Sequence, residues 1–309
     1  MNLVGAMLSD LPFDEHELHA ILTTAPYRYK VYEIEKRNGR GMRVIAQPSP
    51  ELKLIQRWIV AKIISKWPIH SAAAAYRPNV SPSQHARMHA SRRFLLKLDF
   101  ENFFNSITSC DVRQHVENHS SLAEADTKLL VSALIWRNKR NRDLCLSVGA
   151  PSSPALTNSL MYKFDERVGR LCGELDIAYS RYADDLAFST SHENRIHEAQ
   201  RIVVETLELL PYPKLRLNTK KTVSTSRRHR RTLVGLVLTP EGKVSLGREK
   251  KRMLRAALHR ALKGELTVEE CSSLRGFLAY AWSVEPNFVN AMVSHYGSDI
   301  FRKLDLPFN

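Results

Sequence analysis

The 309-residue chain carries 46 Lys and Arg against 32 Asp and Glu, a formal net charge of +14, and 43% of its residues are hydrophobic. That composition fits a soluble globular protein able to bury a sizeable core as two or three closely packed subdomains. No run of about 18 apolar residues is present to span a bilayer, and Met1 to Asp10 lacks the basic-then-apolar order of a signal peptide, so a cytoplasmic protein with no membrane partner is expected.

Taken in chain order, residues 14 to 25 read as a short helix. Tyr29 to Ile34 and Arg43 to Ile45 read as strands flanking the polar loop Lys36-Arg37-Asn38-Gly39-Arg40-Gly41. From Glu51 to Trp67 the apolar residues Leu54, Ile55, Trp58, Ile59, Ile63 and Ile64 recur at helical spacing, until Pro68 closes the helix. Phe94 to Phe100 is a short apolar run that meets an acid near its end, the pattern of a buried strand whose tip reaches a polar site. Residues 121 to 137 read as helix, and so do 155 to 172, after Pro151 and Pro154. Ile177 to Thr190 reads as a hairpin, 195 to 210 as a helix that Pro211 and Pro213 end, and Leu233 to Leu238 as one further strand. From Arg248 onward the chain reads as wholly helical, and no internal repeat or low-complexity tract interrupts it. Cys110, Cys145, Cys172 and Cys271 are too dispersed for a zinc pair or a disulfide framework, and buried thiols are expected.

Chemistry concentrates in Tyr182-Ala183-Asp184-Asp185, where two β-prone segments meet at adjacent acids. Neighbouring carboxylates at a hairpin tip repel each other and are poor strand formers, so something must compensate, and divalent cations with oxygen ligands are the natural candidates. Phosphoryl transfer by two metal ions needs carboxylates that bridge ions about 3.5–4 Å apart. A third acid at the end of a neighbouring strand completes such a set, and Asp99 closes Phe94-Leu95-Leu96-Lys97-Leu98.

These motifs resemble those of reverse transcriptases, retron and group II intron enzymes in particular, in order over roughly residues 28 to 260. Leu98-Asp99-Phe100-Glu101-Asn102-Phe103-Phe104-Asn105-Ser106-Ile107 is similar to the first palm motif of that family. The likeness implies that Asp99, Asp184, Asp185 and the main-chain carbonyl of Phe100 hold two Mg²⁺ (or Mn²⁺), that Phe104 excludes a ribose 2′-hydroxyl, and that Phe103 is core. Gly149-Ala150-Pro151-Ser152-Ser153-Pro154, with Leu156 and Asn158, resembles the motif whose backbone faces nucleotide and template, and Tyr182 is expected beside the nucleotide. Where the family has Pro-Gln before that glycine, this chain has Ser147-Val148.

Lys36 and Arg43, with Pro48, Leu52-Lys53 and Gln56-Arg57, resemble the fingers motifs that grip the triphosphate. Ala75-Tyr76-Arg77-Pro78 and His85 to His89 resemble the segment before the first palm strand, with no chemistry assigned to the histidines. Leu217-Asn218-Thr219-Lys220-Lys221-Thr222 resembles the motif after the hairpin, whose lysine, here Lys221, either protonates the departing pyrophosphate or binds phosphate. Leu233-Val234-Gly235-Leu236 resembles the strand that supports the primer end, with Leu-Val-Gly where retron enzymes often have Val-Thr-Gly.

From Lys214 to Arg260 there are fifteen Lys or Arg against Glu241 and Glu249, which is +13 of the +14 and favours a polyanion footprint. Arg248, Arg252, Arg255 and His259 share one helical face and Met253, Leu254, Ala257, Leu258 and Leu262 another. Nucleic-acid contacts are expected at Lys220, Arg248, Lys251, Arg252 and Arg255.

The fold class expected is α+β, a right-hand polymerase: N-terminal region and fingers at 1–92, palm at 93–238 with a fingers insertion at about 111–147, and helical thumb at 239–309. The resemblance implies an RNA-directed DNA polymerase of a retron that copies part of its own structured noncoding RNA, as template and primer, into branched single-stranded DNA from dNTPs. It also implies anti-phage defence with an effector or toxin encoded nearby. Rival readings are another stand-alone bacterial reverse transcriptase, of abortive-infection or group II intron descent, and an RNA-binding scaffold that restrains an effector.

Overall fold

The computed structural model describes residues 2–35 and 41–303, so Lys36 lies outside the described residues. In chain order the elements are α1 (Leu3–Asp10), α2 (Glu15–Thr24), β1 (Tyr29–Glu35), β2 (Met42–Pro48), α3 (Pro50–Lys62), α4 (Pro82–Ala90), β3 (Phe94–Asp99), α5 (Phe103–Ser106), α6 (Ser109–His119) and α7 (Glu124–Leu134). They continue with β4 (Trp136–Arg137), β5 (Leu144–Cys145), α8 (Ser152–Leu160), α9 (Tyr162–Glu174), β6 (Ala178–Tyr182), β7 (Asp185–Thr190), α10 (Ile196–Leu209), β8 (Val223–Ser226), β9 (Arg231–Leu233), β10 (Leu236–Leu238) and β11 (Val244–Ser245). Four helices end the chain: α11 (Arg248–Leu262), α12 (Val268–Val284), α13 (Pro286–Tyr296) and α14 (Ser298–Lys303). No helix among the described residues is long and apolar enough to cross a membrane.

The chain forms two compact units. The first comprises residues up to Pro78, Lys97–Ala187 and His197–Val223. Its helical core is closed by Leu3, Met7, Leu18, Leu22, Leu52, Ile55, Leu130 and Leu134, each 0% exposed. Full burial stabilises by about 1.5–3 kcal/mol for each side chain of this size. Gln56 is buried among them because its amide donates to the Tyr29 hydroxyl at 2.9 Å and to the Ala133 carbonyl at 2.8 Å. β1 and β2 pair antiparallel from Tyr29↔Pro48 to Glu35↔Met42. The larger sheet has the order β6-β7-β3-β8, which places the second strand of the acid-bearing hairpin beside β3.

The second unit comprises Asn79–Leu96, Phe188–Ile196 and the chain from Ser224 on. It contains the meander β9-β10-β11 and helices α11 to α13. Glu285 fastens α11 to the meander, accepting from Ser245 Oγ at 2.9 Å, the Leu246 amide at 3.2 Å and Lys251 Nζ at 2.5 Å.

Several elements depart from the sequence expectation. The helix expected over 121–137 ends at Leu134, because Ile135 is extended and Trp136 pairs with Cys145 across β4 and β5. The helix expected over 155–172 is two, α8 and α9, separated at Met161, whose ψ of 2° leaves the helical well. Leu233 to Leu238 is a hairpin rather than one strand: Val234 and Gly235 both have positive φ, 44° and 76°, the backbone of a two-residue turn whose twist suits antiparallel strands. Of the four thiols only Cys145 and Cys172 are buried; Cys110 is exposed and Cys271 half-buried. On α11, Leu254 and Leu258 are buried as expected, whereas Met253 and Leu262 are 58% and 49% exposed.

Candidate active site

β3 runs apolar and buried to Asp99, and β6 and β7 meet at the turn Ala183-Asp184. Because β7 lies beside β3, the start of one strand faces the end of the other, and the Phe100 amide donates to the Asp184 carbonyl at 3.3 Å. The three acids named from sequence therefore converge. The Asp185 carboxyl keeps solvent access at the hairpin tip yet lies within hydrogen-bonding reach of Asp99, and the protein packed around it, then the Asp184 and Asp99 charges, push its pKa up to about 7. Burial and the Asp99 charge likewise raise Asp184, against the opposing pull of Lys221 and Arg43.

Lys221 reaches this cluster from the short 3₁₀ turn Thr219–Lys221, which is held in place by a hydrogen bond of 2.7 Å from the Asn218 amide to the Asp99 carbonyl. Its ammonium donates to both oxygens of Asp99, at 2.8 and 2.9 Å. Among the described residues no group of three or more His, Cys, Asp or Glu is arranged to hold a metal ion. Lys220 is exposed in the same turn.

Arg43, exposed on β2, is close enough to bias Asp184. Gly149 packs directly on β2: a Cβ there would lie 2.9 Å from the Ala46 carbonyl oxygen, and its φ of 127° is one that L residues rarely adopt. The Val148 carbonyl accepts from the Ala46 amide at 2.9 Å, so the residue that departs from the family pattern holds Gly149 and Ala150 to the Arg43 strand through its backbone. Pro151 caps α8. Phe103 is buried and stacks on Phe100 at 5.6 Å, as expected of core, while Phe104 is half-buried. Tyr182 is half-buried at the end of β6.

Three residues at the site, Arg181, Asp165 and Tyr179, carried no role in the sequence reading. Arg181 and Asp165, both 0% exposed, form a bidentate pair, with Nε to Oδ1 at 2.9 Å and Nη2 to Oδ2 at 2.7 Å. Tyr179 donates to the same carboxylate at 2.7 Å. Arg181 Nη1 donates to the Ala183 carbonyl at 3.1 Å, fixing a residue whose φ of 58° is strained for alanine and sets the direction of Asp184. Asn158 accepts from Arg181 at 3.3 Å and donates to the Ala75 carbonyl at 2.8 Å, which brings the next residue, Tyr76, to the acids. Burial, then Asp184 and Tyr182, raise the Tyr76 hydroxyl. The signal available was Arg181 itself, the one charged residue of the strand Ala178–Tyr182, three residues before Asp184.

The expected nucleic-acid contacts on α11 belong to the second unit. Arg248, Arg252 and Arg255 are exposed. Lys251, expected with them, is instead half-buried, paired with Glu285 and set over the Phe288 ring at 5.0 Å.

A family model described as reverse transcriptase (RNA-dependent DNA polymerase) matches residues 34–240. The chain is 39% identical over 283 residues to the Retron Ec83 reverse transcriptase of Escherichia coli, covering 89% of each. It is 30% identical over 311 residues to the Retron Ec86 reverse transcriptase of the same organism, covering 98% of this chain and 93% of the relative. Among solved structures, apo telomerase from Candida tropicalis superposes with a TM-score of 0.54 at 11% identity, a likeness of fold. That match takes in 93% of this chain and 60% of the telomerase.

Proposed function

This chain belongs to the reverse transcriptases, and among them to the retron enzymes, so it is an RNA-directed DNA polymerase; we propose that it copies part of its own structured noncoding RNA into single-stranded DNA by two-metal phosphoryl transfer. One observation carries the reading: Asp99, Asp184 and Asp185 meet at the ends of adjacent strands with Lys221 against the first of them. The set fits hard divalent cations, because carboxylates crowded in a partly dry site raise one another's pKa and gain from any nearby positive charge.

The three acids and the Phe100 carbonyl would hold two Mg²⁺, with Mn²⁺ as the alternative. Such ions lower the pKa of the attacking primer hydroxyl and steady charge on the leaving group. The remaining roles fall to the protein's own groups. Arg43, with Lys36, binds the triphosphate, and the backbone of Gly149, Ala150 and Pro151 faces the incoming base beside Tyr182. The Phe104 ring occupies the space a 2′-hydroxyl would need. Lys221 neutralises the departing pyrophosphate or gives it a proton. Lys220, Arg248, Arg252 and Arg255 hold RNA phosphates. Fingers at 1–92, palm at 93–238 and thumb at 239–309 remain the division this reading uses.

Priming is assigned to the 2′-hydroxyl of a guanosine in the noncoding RNA, which leaves a branched RNA–DNA product, and the biological setting is anti-phage defence with an effector encoded nearby. Incubation of the purified protein with its neighbouring RNA and dNTPs tests the reaction. DNA that separates from RNA only after debranching is expected, and linear product alone would refute branch priming. Asp184→Asn should abolish synthesis and, with it, defence.

A further inference from the structure

Within the first unit, the β1 strand and the β4–β5 hairpin enclose a half-open cavity of about 490 Å³, within the roughly 300–1,000 Å³ range of small-molecule sites. The catalytic reading uses none of its walls. Tyr27, Tyr29 and Trp136 supply aromatic surface, and Arg137, Lys139 and Arg142 supply positive charge. No carboxylate lines it. Tyr29 and Trp136 form a tilted pair with centroids 6.2 Å apart and make the buried floor, whereas Tyr27 is 64% exposed at the mouth.

The charged loop is ordered before any ligand arrives. The Asn138 amide donates to the Asp143 carbonyl at 2.8 Å and the Arg142 amide to the Asn138 carbonyl at 2.8 Å, so 138–143 is a closed turn. Glu33 pairs with Arg140, while Asp143, held in the same turn by the Asn141 side-chain amide, does not line the cavity. Lys139 and Arg142 have no salt-bridge partner among the described residues. Arg137 lies over the Tyr27 ring at 5.5 Å and donates to its hydroxyl at 2.8 Å, which fixes that ring in place.

Stacking surface beside uncompensated cations is what an unpaired base and its phosphate require. We propose that this cavity is a second nucleotide-binding site, taking a base against Tyr27 over the Tyr29–Trp136 floor and its phosphate on Lys139 and Arg142. An acidic peptide would satisfy the cations but make no use of the exposed Tyr27 ring, which is why a nucleotide is favoured. The nucleotide belongs either to a single-stranded stretch of RNA or to a free mononucleotide pool, and competition separates the two.

The test uses the full-length protein with its polymerase cleft filled by a saturating blunt RNA–DNA hybrid. A short single-stranded RNA carrying one 5-iodouridine, which photocrosslinks to aromatic rings, is added, and the crosslinked residue is mapped by mass spectrometry. Crosslinking to Tyr27, weakened about tenfold or more in Lys139→Glu/Arg142→Glu and lost in Tyr27→Ala, supports the site. Survival of the crosslink in excess ATP then assigns it to an RNA strand, and loss of the crosslink to ATP assigns it to the free nucleotide. Crosslinks that map only elsewhere, insensitivity to both variants, or competition by polyglutamate as effective as that by RNA overturns the proposal. The replaced side chains are exposed, so both variants should keep the wild-type melting temperature and extend a conventional primer–template at the wild-type rate. The mapping on unaltered protein needs no variant at all. Active polymerase without the crosslink defeats this inference alone, whereas absence of DNA synthesis bears only on the catalytic reading.

Discussion

Asp165→Asn should destabilise the first unit by about 3–5 kcal/mol, the range for leaving one half of a buried ion pair uncompensated. Both partners are 0% exposed, and the carboxylate takes the Arg181 Nε at 2.9 Å, its Nη2 at 2.7 Å and the Tyr179 hydroxyl at 2.7 Å. Asparagine keeps the shape but removes the charge, and it turns an NH₂ group toward a guanidinium or a phenol that is itself donating. In a domain of 150–250 residues each kcal/mol moves Tm by about 2–4 °C, so a fall of roughly 6–20 °C is expected by differential scanning fluorimetry. DNA synthesis should fall with it, because the same guanidinium holds the Ala183 carbonyl at 3.1 Å and with it the turn into Asp184. The uncharged pair Arg181→Met/Asp165→Leu should recover most of the stability but not the synthesis, since neither side chain can hold that carbonyl. A Tm loss under about 2 °C for Asp165→Asn would refute the reasoning, showing that water or a rearranged side chain satisfies the buried cation.

The acid cluster sets a pH dependence. The surrounding protein and the crowding of the acids push Asp185 up to about 7 in the folded protein from an ordinary 3.8, so between those values the folded chain keeps a proton that the unfolded chain has lost. Without divalent cations, the Asp185 contribution to stability should therefore decline as pH rises from about 4 to 7, against buried His85, His89 and His115, whose lowered pKa makes stability rise over the same window; Asp185→Asn should make the melting temperature climb more steeply with pH than in the wild type, and equal slopes for the two proteins would contradict the assignment. Phe104→Val should raise incorporation of ribonucleotides relative to deoxyribonucleotides by about an order of magnitude in single-nucleotide extension assays, and an unchanged ratio would remove Phe104 from sugar selection. Arg252→Ala should lower the salt slope of RNA binding by roughly 0.7–0.9, whereas Lys251→Ala, whose ammonium is paired with Glu285, should leave the slope unchanged and lower Tm instead. Equal salt effects of the two variants would show that the Glu285 pair opens on binding.

How much of this was legible in the sequence follows from the range of the interactions involved. The convergence of Asp99, Asp184 and Asp185 could be read because the proposed two-metal chemistry restricts the residue type, and because alternation and apolar runs placed each acid at the end of a strand. Periodicity misled at Leu233 to Leu238, where a continuous apolar run conceals a turn that demands positive φ of a valine, against its local preference. It misled again near Met161, where one apolar stripe passes through a break between two helices.

What the sequence by itself determined was the chemistry on offer and the strands that carry it: local hydrophobic patterning, the acid pair at a hairpin tip and the run of basic residues are all written in short windows. Which charges meet was decided by tertiary structure alone. Lys221 contacts Asp99 from 122 positions away, and Gly149 leans on the Ala46 carbonyl from another segment altogether. Lys251 turns from the expected RNA surface to Glu285, and Tyr27 and Tyr29 meet Trp136 from a distant segment to close one cavity. Such pairings have no signature in neighbouring residues, because they exist only once burial has paid the entropy of bringing distant segments together and made an uncompensated charge costly.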